Sequence, residues 1–164
     1  MTMSQALLPE FDQEMKLTRK ALERVPDDKF DWKPHEKSMS MGKLAGHLAE
    51  LPAFGTAMIM TEGLNFDKGD YKPAAVSNRA EVLALFDKSV AEAREAIAGA
   101  TDDHLRQSWK IIYQEKPLFD APRAVGLRGM MMNHVVHHRG QLTVYLRLND
   151  VAVPSIYGPS ADET

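Results

Sequence analysis

The residues best suited to chemistry in this chain are histidines. His134 and His138 stand four apart in the run NHVVHHRGQL from Asn133 to Leu142, a spacing at which two imidazoles on one helix reach a common point. On a helical wheel of about 100° per residue, Leu127, Met131, Leu142 and Tyr145 gather beside His134, and His138 falls among them. His137 falls toward the polar side with Asn133. His134 and His138 are therefore the pair aimed inward, and a third donor is needed to complete a site. His47 is the candidate, because it lies three residues after Leu44 and four before Leu51, in the inward row of another helix. Three neutral imidazoles from two helices would hold one divalent ion and leave coordination positions open to water or substrate. Burying them without an ion would demand three sets of hydrogen-bond partners in a core of Leu, Met and Val.

The neighbouring candidates each carry a plainer alternative. Glu50, one turn after His47, is a candidate acceptor for an imidazole N–H or a general base toward metal-bound water, or else an ordinary solvated glutamate. His137 is a candidate substrate-facing acid or base, or an edge histidine with one hydrogen bond. Arg139 points away from the pair and reads as one half of a salt bridge to another helix. His35 and His104 fall in expected loops and take no role. Met130, Met131 and Met132 point in three directions and read as core filling, not as a soft-metal site. Trp32, Trp109, Tyr113 and Tyr157 read as caps on the ends of a core.

Long helices must carry these residues. Leu8, Phe11, Met15, Leu22 and Val25 recur at three- and four-residue spacing, which predicts a first helix from Ser4 to Arg24, ending before Pro26. Ser40 caps a second, with Leu44, Leu48, Leu51 and Phe54 on one face and Pro52 expected to bend or break it. After Gly63 the chain is turn-rich and polar until Asn78, which with Glu81 forms a capping-box pattern for a third helix ending near Gly99. The segment Thr101 to Asp120 reads as a short strand or an extended loop around SWKIIYQ. A fourth helix then starts from Asp120, with Pro122 in its first turn, and reaches Leu148. The remaining tail, with two prolines and a glycine, is expected to be an ordered crossing strip or a frayed end. The fold expected is all-α: a four-helix bundle with a short irregular or strand-like insertion before helix four, in one domain spanning residues 1–164.

Composition narrows the function further. With 164 residues and 44% hydrophobic content the chain can build one core without disulfides, and the absence of Cys removes thiolate zinc sites, iron–sulfur clusters and thiol nucleophiles. A net charge of −3 argues against tracking a nucleic-acid backbone. Lys43, His47 and Glu50 punctuate the most apolar stretch, so no membrane span is expected, and the mixed-charge start MTMSQALLPEFDQEMK lacks the features of a signal peptide. A cytoplasmic location is the expectation. No Gly-rich phosphate loop, GxSxG elbow or EF-hand loop occurs, which removes the main support for nucleotide-dependent and serine-hydrolase functions.

Taken together, NHVVHHRGQL, the upstream SMSMGKLAGHLAELPAF, the connection DWKPHEKS and the ending VPSIYGPSADE resemble the DinB-like, or YfiT-like, family of metal-dependent four-helix-bundle proteins. The resemblance runs from Asp31 to Glu163 and assigns the family's metal ligands to His47, His134 and His138, the three that the wheel selects. It implies one divalent ion per chain, Zn²⁺ or Ni²⁺ first and Fe²⁺ or Mn²⁺ after them. It further implies a homodimer and a thiol S-transferase or hydrolase acting on a small molecule, with a low-molecular-weight thiol such as mycothiol, bacillithiol or glutathione as cosubstrate. The alternative of another class is a non-catalytic metal-binding or stress-response interaction protein, whose site would be closed by a fourth protein ligand.

Overall fold

The first three long helices each begin where a side chain satisfies backbone donors that the first turn leaves free. α1 (Met3–Leu22) starts from a closed capping box, in which Thr2 accepts from the Gln5 N–H and Gln5 from the Thr2 N–H. α2 (Met41–Met60) starts at Ser40, whose Oγ accepts from the Lys43 N–H, and it runs unbroken through Pro52. α3 (Arg79–Gly99) starts at Asn78, which accepts from the Glu81 N–H. The box expected there closes one residue earlier, because the Glu81 carboxylate takes the N–H and hydroxyl of Ser77 instead of the Asn78 N–H. The computed structural model describes all residues, Met1 to Thr164.

The final helical segment differs from the single α-helix expected. It comprises α5 (Arg123–Gly126), a π-helical stretch at Leu127–Met132 and α6 (Asn133–Leu148). Within the π stretch the Asn133 N–H reaches back five residues to the Arg128 carbonyl. Such an insertion turns the preceding residues out of phase with a plain α-helical wheel, yet Leu127, Met131 and Met132 remain buried. α2 packs against α3 and α6, and α1 closes the arrangement by packing against α3 and α6 in turn. Phe11, Leu22, Leu44, Leu48, Phe86, Ile97, Leu142 and Leu146 fill the space between them.

The expectation of a purely helical protein with a short insertion is corrected by a three-stranded sheet. β1 (Gly63–Asn65) runs parallel to β2 (Ser108–Tyr113), which pairs antiparallel with β3 (Lys116–Pro122) in the order β1-β2-β3. The hairpin turn between β2 and β3 places Gln114 and Glu115 at φ 51° and 59°, a left-handed conformation usually announced by Asn or Gly. Asp67 supports it from outside by accepting both backbone N–H groups at 2.9 Å. The last helix likewise starts later than expected. Asp120 and Pro122 belong to β3, where Asp120 accepts from the Ser108 hydroxyl at 2.6 Å, and the helix begins at Arg123. Arg123 is fully buried and donates to the Met58 and Thr61 carbonyls, satisfying acceptors at the end of α2. His104, expected in a loop, lies in the short helix α4 (Asp102–Arg106) and bonds the Ile59 carbonyl at the same end of α2.

Arg139 makes the interhelical salt bridge expected of it, in a buried setting. Only 2% exposed, it donates to the Glu14 carboxylate at 2.7 Å and to Thr18 Oγ1 at 3.1 Å, both on α1. The Tyr157 hydroxyl joins the network from the tail, donating to Glu14 at 2.8 Å. The tail is thus an ordered strip, held also by Asp162 and Glu163 through the backbone N–H groups of Val153 and Ser155. Removing one partner of a buried pair leaves the other charge without compensation. Arg139→Met is expected to destabilise the fold by about 3–5 kcal/mol in urea unfolding, and Glu14→Leu added to it should restore most of that loss. A single-variant effect no larger than that of an exposed pair would contradict this account.

Candidate metal centre

Helix phase brings His47, His134 and His138 together from two elements. His47 lies within α2 and the other two open α6 one turn apart, so their rings meet across the α2–α6 contact. His134 Nε2 is 2.8 Å from His138 Nε2 and 3.4 Å from His47 Nε2, and the three donor atoms all lie within 4.8 Å of one another. Ligand nitrogens on one tetrahedral Zn²⁺ stand roughly 3.4 Å apart, inside that range.

The other ring nitrogen shows where the proton sits on two of the three histidines. His47 Nδ1 is 2.8 Å from Glu50 Oε1, and His138 Nδ1 is 2.7 Å from Gln141 Oε1. Both oxygens only accept, so each Nδ1 carries the proton. His134 Nε2 faces the Nε2 atoms of both other histidines, and with its proton on Nδ1 it presents a third lone pair to a shared ion. Burial, followed by the repulsion between neighbouring imidazoles, pushes the His134 pKa down from 6.5 to about 4, and burial likewise lowers that of His138. The neutral state that ligation requires is the state near neutral pH. The structure fits a cation at this point: three imidazole Nε2 atoms from two helices converge within the span of one coordination sphere.

Glu50 is not among the converging donors. Its Oε1 accepts from His47 and from the Tyr71 hydroxyl at 2.6 Å, and its Oε2 accepts from the Ala74 N–H at 2.6 Å. It orients His47 and ties down the loop after β1. The Tyr71 pKa is raised, first by burial and then by this bond to Glu50, so the phenol keeps its proton. His137 is exposed, and its ring meets His138 edge-on with centroids 4.8 Å apart, outside the cluster. His35 is exposed in a turn where its Nδ1 accepts from the Lys37 N–H. Trp109 is buried and donates to Thr61 Oγ1, whereas Tyr113 and Tyr157 are exposed.

A cavity of about 150 Å³ opens against His47 and His134, walled by Phe54, Phe66, Tyr71, Ile111, Leu118 and Met130. Sequence reasoning missed Tyr71, Phe66, Ile111 and Leu118 as parts of the site. They arrive on the loop after β1 and on the sheet, and no helical period links them to the histidines.

A mainly helical protein with three histidines from two helices at the head of an apolar cavity is the class that these features define. The chain belongs to the DinB superfamily, whose sequence model matches residues 10–142. It is similar to the protein YrdA of Bacillus subtilis (strain 168), with 27% identity over 161 residues, 95% of this chain and 89% of that protein. Among solved structures it is similar to a DinB-like protein from Bacillus cereus ATCC 10987, with 24% identity, a TM-score of 0.68, and 92% and 95% of the two chains covered. A DinB-like protein from Bacillus subtilis, YjoA, matches at 18% identity with a TM-score of 0.70, covering 94% of this chain and 99% of its own. At these identities the two structures speak for the fold.

The protonation pattern has a measurable consequence without any metal. Because folding depresses the His134 pKa from 6.5 to about 4, the unfolded chain takes up its proton first as the pH drops. The melting temperature of the metal-free protein should fall as pH is lowered through that window, and the fall should be shallower in His134→Ala. An identical pH profile for the two proteins would contradict the assignment. Metal content by inductively coupled plasma mass spectrometry is expected to be about one divalent ion per chain. His47→Ala, His134→Ala and His138→Ala should each lose it while His137→Ala retains it, and the opposite pattern for His137 and His138 would overturn the helix phase.

Proposed function

We propose that this protein is a divalent-metal-dependent enzyme in which His47, His134 and His138 hold one ion that activates a thiol or water against a small electrophilic substrate. The observation that supports this reading best is the donor arrangement. Three Nε2 atoms converge while the Nδ1 atoms of His47 and His138 are committed elsewhere, and no fourth protein donor closes the cluster. Zn²⁺ or Ni²⁺ suits the set first, with Fe²⁺ or Mn²⁺ as further occupants. A bound ion of this kind supplies Lewis acidity, lowering the pKa of a coordinated thiol or water toward neutrality.

The protein's own groups do the rest. Glu50 and Gln141 fix the imidazole tautomers, Tyr71 holds Glu50 in place, and the apolar walls exclude bulk water from the open side. With its oxygens already accepting from His47, Tyr71 and Ala74, Glu50 is assigned a positioning role in this reading and not that of a general base. His137, exposed beside His138, is assigned no proton-transfer step. We further read residues 1–164 as one domain of the four-helix-bundle type, working in the cytoplasm as a homodimer on a small-molecule substrate, with a low-molecular-weight thiol as cosubstrate.

The test is turnover by metal-loaded protein supplied with a thiol and 1-chloro-2,4-dinitrobenzene, where the sulfur–carbon bond forms, chloride leaves and the thiol proton passes to buffer. The loaded protein should exceed the His47/His134/His138 triple alanine variant with at least one of glutathione, bacillithiol and mycothiol, or in ester hydrolysis. Equal rates throughout would support a non-catalytic metal-binding protein instead. Glu50→Gln should weaken metal affinity by about 10–100-fold, the range typical when a partner of a ligating histidine is altered.

A further inference from the structure

The cavity beside the three histidines is built for hydrocarbon. Phe54 comes from α2, Met130 from the π-helical stretch, Phe66 and Tyr71 from the segment after β1, and Ile111 and Leu118 from the β2–β3 hairpin. The polar atoms that could have faced it are occupied. The Tyr71 hydroxyl is turned onto Glu50, and both Glu50 oxygens are taken by His47, Tyr71 and Ala74. No Lys, Arg, Asp or Glu lines the space, so a charged group placed there would lose its hydration without gaining a partner. Its volume, about 150 Å³, is the size at which an apolar protein cavity accepts a benzene ring. The aromatic walls are packed on one another, Tyr71 lying 5.4 Å from Phe54 and 5.1 Å from Phe66 between centroids, so the chamber is formed before any ligand arrives.

We infer that the electrophilic substrate of this centre, as distinct from its polar thiol cosubstrate, carries an uncharged apolar group of about phenyl size directly adjacent to the atom that meets the metal. The ligating atom meets the open side of the three-His cluster, and the hydrocarbon fills the chamber between Phe54, Phe66 and Ile111. This inference rests on the metal-centre reading for the head group and on the chamber alone for the tail. Leu118 stands at the mouth with 58% of its surface exposed, so it limits the length of the tail, not its polarity.

The experiment separates the two parts. Phenylmethanethiol and 2-mercaptoethanesulfonate, alkyl thiols of similar basicity, are titrated into Co²⁺-loaded protein and followed by the thiolate-to-cobalt absorption band. The phenyl compound should bind at least about tenfold more tightly, as burial of that apolar area predicts. Phe66→Ala and Leu118→Trp, one enlarging the chamber and one plugging its mouth, should each erase most of that preference while cobalt content stays unchanged. In metal-free protein, toluene, which has no ligating atom, should shift the methyl resonances of Ile111, Leu118 and Met130. Equal binding of the two thiols, or no toluene shift, would overturn the inference. Failure to load cobalt together with a positive toluene shift would instead overturn the metal-centre reading and leave the chamber standing.

Discussion

Three imidazole nitrogens brought to one point are the constraint around which this structure is arranged. In a core of Leu, Met and Val, a buried acceptor without a donor is unfavourable, and three facing each other repel as well. Protonation of His134 near neutral pH is opposed, since burial and the neighbouring imidazoles hold its pKa near 4. At His47 the tautomer is fixed from behind. Glu50 can only accept, so moving a proton to His47 Nε2 would set the Nδ1 lone pair against a carboxylate. A shared cation satisfies all three atoms at once, and the hydrogen bonds behind the rings have the sense that ligation needs.

Holding that geometry requires α2 and α6 to keep their phase, and the buried polar contacts lie where they enforce it. Arg139 follows His138 directly in sequence and faces the opposite way, locking onto Glu14 and Thr18 of α1. A rotation of α6 that misdirected His138 would also break that pair. At the other end of the same helical segment, Arg123 fastens its start to the terminal carbonyls of α2. The segment bearing two ligands is therefore pinned at its start to α2, the helix bearing the third, and beside His138 to α1. The π-helical stretch Leu127–Met132 lies between these two anchors.

Legibility from sequence followed the length scale of the physics. The three ligand candidates and the direction of Arg139 were readable because an α-helix converts spacing into orientation, and α6 from Asn133 onward is a regular helix. The onset of the last helix was misread because Asp120 and Pro122 satisfy a local rule for helix starts, while pairing with Ser108 across the sheet decides otherwise. The sheet was understated for a related reason. β1 is three residues long and finds its parallel partner at Lys110–Ile112, more than forty residues away, and the hairpin turn uses Gln114 and Glu115, supported by the distant Asp67. Nothing in the local sequence encodes such contacts. Tyr71, Phe66, Ile111 and Leu118 were missed for the same reason, since they reach the histidines only once that sheet has formed.

This division between helical and non-helical contributions bears on how the site can vary while the centre is retained. The ligands and their supporting acceptors, Glu50 and Gln141, lie on α2 and α6 within one turn of the histidines they serve. They form a module specified by helix geometry alone. The walls of the chamber come mainly from the loop after β1, tied to α2 by the Glu50 contacts to Tyr71 and Ala74, and from the hairpin, tied to the end of α2 by the buried Trp109 through Thr61. Changes in those segments can reshape the chamber without moving a ligand, whereas changes in the helices disturb the centre first. Glu50 is the one residue that belongs to both parts, because the carboxylate that fixes the His47 tautomer also anchors the loop that forms the wall.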